Sequence, residues 1–326
     1  MTTWRPATMP FSPPVIDLHQ DLLGHIDARE AFGDELQTSW ETIEASPVRL
    51  VVASSFAMDR SVEPASSHSN DHSLNYFRRY REIVRDRRGW HLVLNASDVD
   101  RALTNSRGIL LHVEGLGATS PEDAPQLLDE LFSAGCRSIG PVWNESNGLA
   151  HGPSQPRDGL TKLGRHVIQI IDEQAFVLDL AHMSIRSFWD TLDVTAGPVL
   201  VSHANARALA DHPRNLTDDQ ARAIAKRAGV IGVVFSSVFA GQPKAARVVD
   251  HIEYLADLVG TEHVAIGSDL GGLWSDSIPD LGDVTRVGVI AAELEKRGWE
   301  TSAIEMVTWG NASRVLRASL AKTEDD

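Results

Sequence analysis

Short apolar runs rich in β-branched residues alternate along the chain with longer stretches whose apolar residues recur at i, i+3 and i+4. The short runs are "PPVIDLH", "VRLVVASSF", "RGILLHVEG", "CRSIGPVW", "FVLDLAH", "PVLVSH", "VIGVVFSS" and "HVAIGSD". They read as eight strands. Between them, stretches such as "PEDAPQLLDELFSAG" and "TDDQARAIAKRAG" read as amphipathic helices, several with a glycine just past the end as a stop signal. Strand–helix alternation implies a parallel sheet with helices outside it. Eight units favour a closed barrel over an open sheet, and near-continuous apolar strands suit burial on both faces. The expectation is a single (β/α)8 TIM-like barrel, an α/β fold in one domain over residues 1–326. Ser61 to Asn75, rich in Ser, His and Asn, reads as a long loop, and the tail "AKTEDD" as frayed.

The polar residues that interrupt this pattern gather where strands end. His19 and Asp21 close the first strand, Glu114 the third, His182 the fifth, His203 the sixth and Asp269 the eighth. In a barrel these C-terminal strand ends form the active-site face. In a regular strand, residues i and i+2 share a face, so His19 and Asp21 look into the same space. Three histidines and three carboxylates on one rim make a nitrogen and oxygen donor set suited to zinc or a similar divalent ion. A lone histidine or aspartate at a strand end is ordinarily structural; the joint placement of six is what points to a metal site. Asp17 has the same parity but lies deeper, and reads as structural support. His25 reads as a first-loop residue outside the site, and His112 as a neighbour that could support it.

Composition narrows the picture. The 326 residues carry a formal charge of -15, which argues against nucleic acid as the main partner. Cys136 is the only cysteine, so no internal disulfide is needed. No apolar stretch approaches the ~20 residues of a membrane span, and the N-terminus does not read as a signal peptide. These features suggest a cytoplasmic protein with no membrane partner. Gly115 and Gly117 invite a dinucleotide reading, but Ser120 stands where a third glycine belongs and Glu114 would repel a phosphate. His68 and His72, four apart in the polar stretch, read as solvated loop residues.

Taken together, "IDLHQD", "HVEG", "LDLAHMS", "VLVSHANAR", "HPRNLTDD", "GSDLGG" and "WGNASRVL" resemble, in order, segments of the membrane or renal dipeptidase family of amidohydrolase-type metal-dependent barrels. The resemblance implies a zinc-dependent dipeptidase with two Zn2+ ions: His19 and Asp21 on one, His182 and His203 on the other, Glu114 bridging. It also implies a hydroxide between the ions as nucleophile, generated because metal coordination lowers the pKa of water. Asp269 would handle protons and Arg214 would hold the substrate's terminal carboxylate. A homodimer and a dipeptide-like substrate complete the expectation.

One departure matters. The better-known dipeptidases carry a histidine after the fourth strand, in a Thr-His-x-x-Asn setting that supports the substrate carbonyl. Here "IGPVWNESN" places Trp143 there. Its indole can donate one hydrogen bond but cannot be protonated. Support for the oxyanion would then fall to Trp143, Asn144 or Asn147. This leaves two alternatives: a binuclear amidohydrolase acting on another amide or a lactam, and a metal-binding barrel without activity. His151, in the same loop, is a further pocket candidate.

Overall fold

The computed structural model describes residues 12–27, 36–55, 67–117, 120–174 and 176–321. Among these residues nine strands form one all-parallel sheet: β1 (Val15–Gln20), β2 (Val48–Ser55), β3 (Trp90–Leu92), β4 (Arg107–Glu114), β5 (Cys136–Gly140), β6 (Val177–Asp179), β7 (Val199–Val201), β8 (Val230–Val233) and β9 (Val264–Ile266). Their order is β2-β1-β9-β8-β7-β6-β5-β4-β3, and pairing of β2 with β4 closes a barrel of eight. The eight runs read from the sequence are those eight strands.

The ninth, β3, was not legible as a strand. It pairs with Arg107 to Ile109 of β4, while β5 pairs with β4 only from Leu111 onward. A three-residue strand thus fills the place beside lower β4 that the barrel strand leaves open. Three residues are too few to show a period.

Two layers of apolar residues divide the strands' side chains. Val51, Ile109, Leu111, Ile139, Val201, Ile231 and Ile266 face outward against the helices. Ile16, Leu18, Leu50, Val52, Leu110, Val177, Leu200, Val230 and Ala265 fill the barrel axis. Below them the closing helix Asn311–Leu320 contributes Ala312, Val315, Leu316 and Leu320 to the same inner cluster. Asn311 Nδ2 donates to the carbonyls of Thr261 and Val264 at 2.7 and 2.8 Å, which pins this helix at the N-terminal end of β9.

Two expectations about loops are corrected. The helix Ser67–Asp86 begins well inside the stretch read as a loop, so His68 and His72 lie on a helix. Its polar first turns are retained by tertiary bonds. Asn70 Nδ2 donates to Gly117 O (2.5 Å), Asn70 Oδ1 accepts from Gly117 N (3.1 Å), and Ser55 Oγ donates to Ser73 Oγ (3.0 Å). Further along, Phe77 and Tyr80 are buried. Packing here overrides a composition that favours loops. His25 sits in the helix Leu22–Asp27, with its ring held between Gly271 O (3.1 Å) and Gln37 N (2.9 Å). The tail from residue 322 lies outside the described residues. Among the described residues, no helix is long and apolar enough to cross a membrane.

Candidate metal centre

The barrel axis turns from apolar to polar as the strands approach their C-terminal ends. In β4, Leu110, His112 and Glu114 follow one another on the inner face, a pleat that places Glu114 at the centre of the mouth. Glu114 Oε1 lies 2.8 Å from His182 Nε2, 3.6 Å from His203 Nε2 and 3.7 Å from His19 Nε2. His19 Nε2 is also 3.9 Å from Asp269 Oδ1, and ligand atoms of His19, Asp21 and Asp269 all lie within 4.8 Å of one another. All six residues singled out at strand ends therefore meet.

His19 reaches the mouth by an irregular route. Ile16 and Leu18 already belong to the inner layer, so regular alternation would send His19 outward. A register shift between Asp17 and Gln20 re-aims it. The shared face inferred from i, i+2 spacing is thus reached through a distortion, not through a regular pleat.

Hydrogen bonds settle which ring nitrogens carry protons. His182 Nδ1 donates to Asn144 Oδ1 at 2.8 Å. Ser202 Oγ donates its single proton to Asp179 Oδ2, so at 2.7 Å it must accept from His203 Nδ1. Both Nε2 atoms are therefore lone pairs, and they face each other at 2.8 Å. His19 is fully buried with neither ring nitrogen hydrogen-bonded among the described residues. Two lone-pair nitrogens and an unbonded His19 ring around one carboxylate call for cations between them. This donor set fits divalent metal ions, with imidazole and carboxylate as their usual partners.

Electrostatics agree. Burial holds the His19, His182 and His203 imidazoles well below their usual pKa, which keeps them neutral as ligands must be. Burial, then the neighbouring carboxylates, pushes Glu114 and Asp269 well above the usual carboxylate range. Burial pushes Asp21 up to about 7. Three crowded acids at the bottom of a mouth are an unstable arrangement that positive charge relieves.

The backbone accommodates the cluster at a cost. His182 and Asp269 both take positive φ, 62° and 63°, a conformation that costs non-glycine residues about 1–3 kcal/mol and gathers at functional sites. Gly272 lets the acids close in: a Cβ there would lie 2.4 Å from Asp21 Oδ2 and 2.8 Å from Asp269 Oδ1.

A cavity of about 250 Å³ opens over the cluster, walled by Trp143, Phe239, Leu273 and Trp274 with Asp276 at its edge. Arg214 is the only arginine or lysine among its described lining residues. It is buried, with Nη2 donating to His203 O at 3.2 Å and Nε without a partner among the described residues. Trp143 lies tilted 32° to His182 with centroids 6.1 Å apart. Asn144 reaches the mouth with its oxygen committed to His182. Asn147 does not reach it: its Nδ2 donates to Pro141 O and Leu116 O, and its Oδ1 accepts from Leu149 N and Ala150 N. Its polar atoms are thus taken up by backbone groups, and it is not among the described residues that line the cavity. His151 likewise turns to Ser146 and Gln155. A larger open groove of about 1120 Å³, lined by residues including Arg78, Glu82, Asp98 and Gln126, holds none of these residues.

Asp179, Ser202 and Ser268 were not singled out in the sequence. A repeated signal marks them: an aspartate two or three residues before a candidate ligand histidine ("DLH", "DLAH"), and a serine just before a candidate site residue ("VSH", "GSD").

The chain is similar to known proteins. A Klebsiella pneumoniae protein described only by its place in the pqqA 5' region is 35% identical over 69% of this chain and 88% of its own length. A dipeptidase of Clonostachys rogersoniana, verJ, is 30% identical over 72% of this chain and 61% of its own. Among solved structures, a Rhodobacter sphaeroides metallopeptidase liganded with a phosphinate mimic of L-Ala-D-Ala shares the fold. Its TM-score is 0.85 at 22% identity, covering 95% of this chain and 100% of that one. Residues 9–325 match the model of the membrane dipeptidase family, and the chain belongs to that family, the metal-dependent dipeptidases of peptidase family M19.

Proposed function

We propose that this protein is a zinc-dependent dipeptidase that holds two ions in the mouth of the barrel. His19 and Asp21 would hold one ion and His182 and His203 the other, and Glu114 would serve both. The observation that carries the reading is the central oxygen of Glu114, within 2.8–3.7 Å of three buried imidazole Nε2 atoms. When bound, the ions supply an acidified water as nucleophile and polarise the scissile carbonyl. The chain does the rest. Arg214, buried beside the cluster with its Nε unpartnered among the described residues, takes the substrate's terminal carboxylate through its planar fork. Asp269 Oδ1 takes the proton of the attacking water and returns it to the leaving amine, a task matched to a carboxyl whose pKa is raised. Trp143 walls the cavity and excludes water from the carbonyl.

The test is metal titration into chelated protein, with ions counted and a panel of L,L and L,D dipeptides assayed. Two ions bound and chelator-sensitive cleavage are expected. Fewer than two ions, or cleavage that survives chelation, overturns the reading.

A second reading rests on Trp143. With an indole in place of the family histidine and an apolar wall around it, the same centre could open another amide or a lactam. Dipeptides left intact while an N-acyl amino acid or cyclic amide is hydrolysed would decide for it. Full metal occupancy with no hydrolysis of any of these would leave a metal-binding barrel without activity.

A further inference from the structure

Two aspartate–serine pairs stand behind the mouth at matching places. Each joins neighbouring strands close to their C-terminal ends. Asp17 on β1 accepts from Ser268 N (2.8 Å) and Ser268 Oγ beyond β9, and from its own His19 N (3.3 Å). Asp179 on β6 accepts from Ser202 N (2.9 Å) and Ser202 Oγ beyond β7, and from its own Ala181 N (3.0 Å). Both carboxylates are buried. The first pair flanks His19 and Asp269; the second flanks His182 and His203. Each therefore serves one half of the mouth.

The two serine hydroxyls spend their acceptor side differently. Ser268 Oγ accepts from Leu270 N at 3.2 Å, spanning Asp269 and holding its left-handed backbone. Ser202 Oγ accepts from His203 Nδ1 at 2.7 Å, which fixes the ring's tautomer and turns Nε2 into the mouth. Behind Asp179, His112 Nε2 lies 3.6 Å from Oδ2, and His112 Nδ1 meets Ser138 Oγ at 2.8 Å.

We infer that Asp179 and Ser202 form a positioning relay for His203, and that Asp17 and Ser268 form a separate clamp for Asp269. The two halves of the centre are thus set independently. The relay governs the affinity of one ion; the Ser268 hydroxyl of the clamp, which spans Asp269, governs the placement of the proton-handling carboxyl and leaves both ions in place. This rests on the two-ion reading above. It adds that removing one hydroxyl weakens one ion and spares the other, because partners behind a ligand are worth about 10–100-fold in metal affinity.

The experiment compares Ser202→Ala, Ser202→Thr and Ser268→Ala with the wild type. Zinc binding is measured by competition with a chromophoric chelator, Co2+ substitution is followed by visible absorption, and apo-protein melting controls for folding. For Ser202→Ala, one ion binds as in wild type and the other about 10–100-fold more weakly, with an altered Co2+ spectrum and the apo melting point retained. Ser202→Thr, which keeps the hydroxyl, restores both. Ser268→Ala keeps two ions and the wild-type Co2+ spectrum but loses kcat at unchanged KM. Two ions of unchanged affinity in Ser202→Ala overturn the relay and leave the dipeptidase reading standing. An ion lost in Ser268→Ala overturns the independence of the halves. A wild type that binds no zinc overturns the two-ion reading, and the relay falls with it.

Discussion

The two ends of the barrel are built from the same strands to opposite purposes. At the floor, Ile16, Leu50, Leu110, Val177, Leu200 and Val230 form an apolar layer sealed by Val315, Leu316 and Leu320 of the closing helix. At the mouth, β1, β4, β6, β7 and β9 end in three carboxylates and three neutral imidazoles, two residues with left-handed backbone, and lone pairs that face each other. The floor gains stability from burial. The mouth gives some of it up to hold groups where they can bind ions and substrate. The difference locates function without reference to any relative: in a barrel, strain and unpaired polarity collect at the C-terminal face.

That contrast can be broken from either side. The largest effect is expected at the mouth. Asp269→Asn should cut turnover about 10²–10⁴-fold with both ions retained and no loss in melting temperature, since it removes one of three crowded charges. Steady-state kinetics, ion counting and calorimetry on one preparation check this; a matching loss of stability would mean that the mouth also holds the fold together.

Next in size is the floor. Leu316→Ala opens a cavity in a fully buried site and should cost about 2–5 kcal/mol of stability. Turnover per folded molecule should not change. Urea unfolding and kinetics in low urea read the two quantities, and a kcat that falls in step with stability would erase the distinction between the ends.

Arg214 tests the mouth more finely. Arg214→Met should raise KM for dipeptides about 10–100-fold, the worth of a hydrogen-bonded charge at roughly 1.5–3 kcal/mol, with little effect on kcat. Dipeptide amides, which lack the carboxylate, should barely distinguish the variant from the wild type. Equal losses on both substrates would assign Arg214 to the support of Glu114 and Asp269, which it also faces.

The smallest effect lies behind the mouth. His251 is buried, accepts at Nδ1 from Ala206 N and donates at Nε2 to Ala240 O. Burial lowers its pKa to about 4, against ~6.5 in the unfolded chain. Between these values the unfolded state binds the extra proton, so stability falls as pH drops from about 6.5 towards 4. The loss between pH 7 and 4.5 should be about 2–3 kcal/mol. In His251→Gln that part of the acid sensitivity should disappear, which denaturation at pH 7, 5.5 and 4.5 measures.

Much of this was legible in the chain, for stated reasons. Eight apolar runs with helical stretches between them sufficed for the barrel, because strands buried on both faces leave a continuous apolar signature. Polar residues at strand ends sufficed for the candidate ligands, because a parallel barrel brings all its C-terminal ends together. The helix from Ser67 was hidden, since its Asn70 and Ser73 side chains find partners distant in sequence. Asn147 looked available for substrate because its four bonds run to backbone groups that no pattern predicts.

The sequence by itself determined the class of fold, the rim on which chemistry sits and the six residues that meet there. These depend on periodicity and order along the chain, which are local properties. The tertiary structure alone decided how those residues are aimed. The register shift that turns His19 inward, the Asn144 oxygen and Ser202 hydroxyl that set two histidine tautomers, and the approach of Asp21 and Asp269 across Gly272 all join separate strands. Hydrogen-bond direction and close approach are properties of atoms in space. The side chains are written in the chain, but which lone pair faces the centre is written only in the packing.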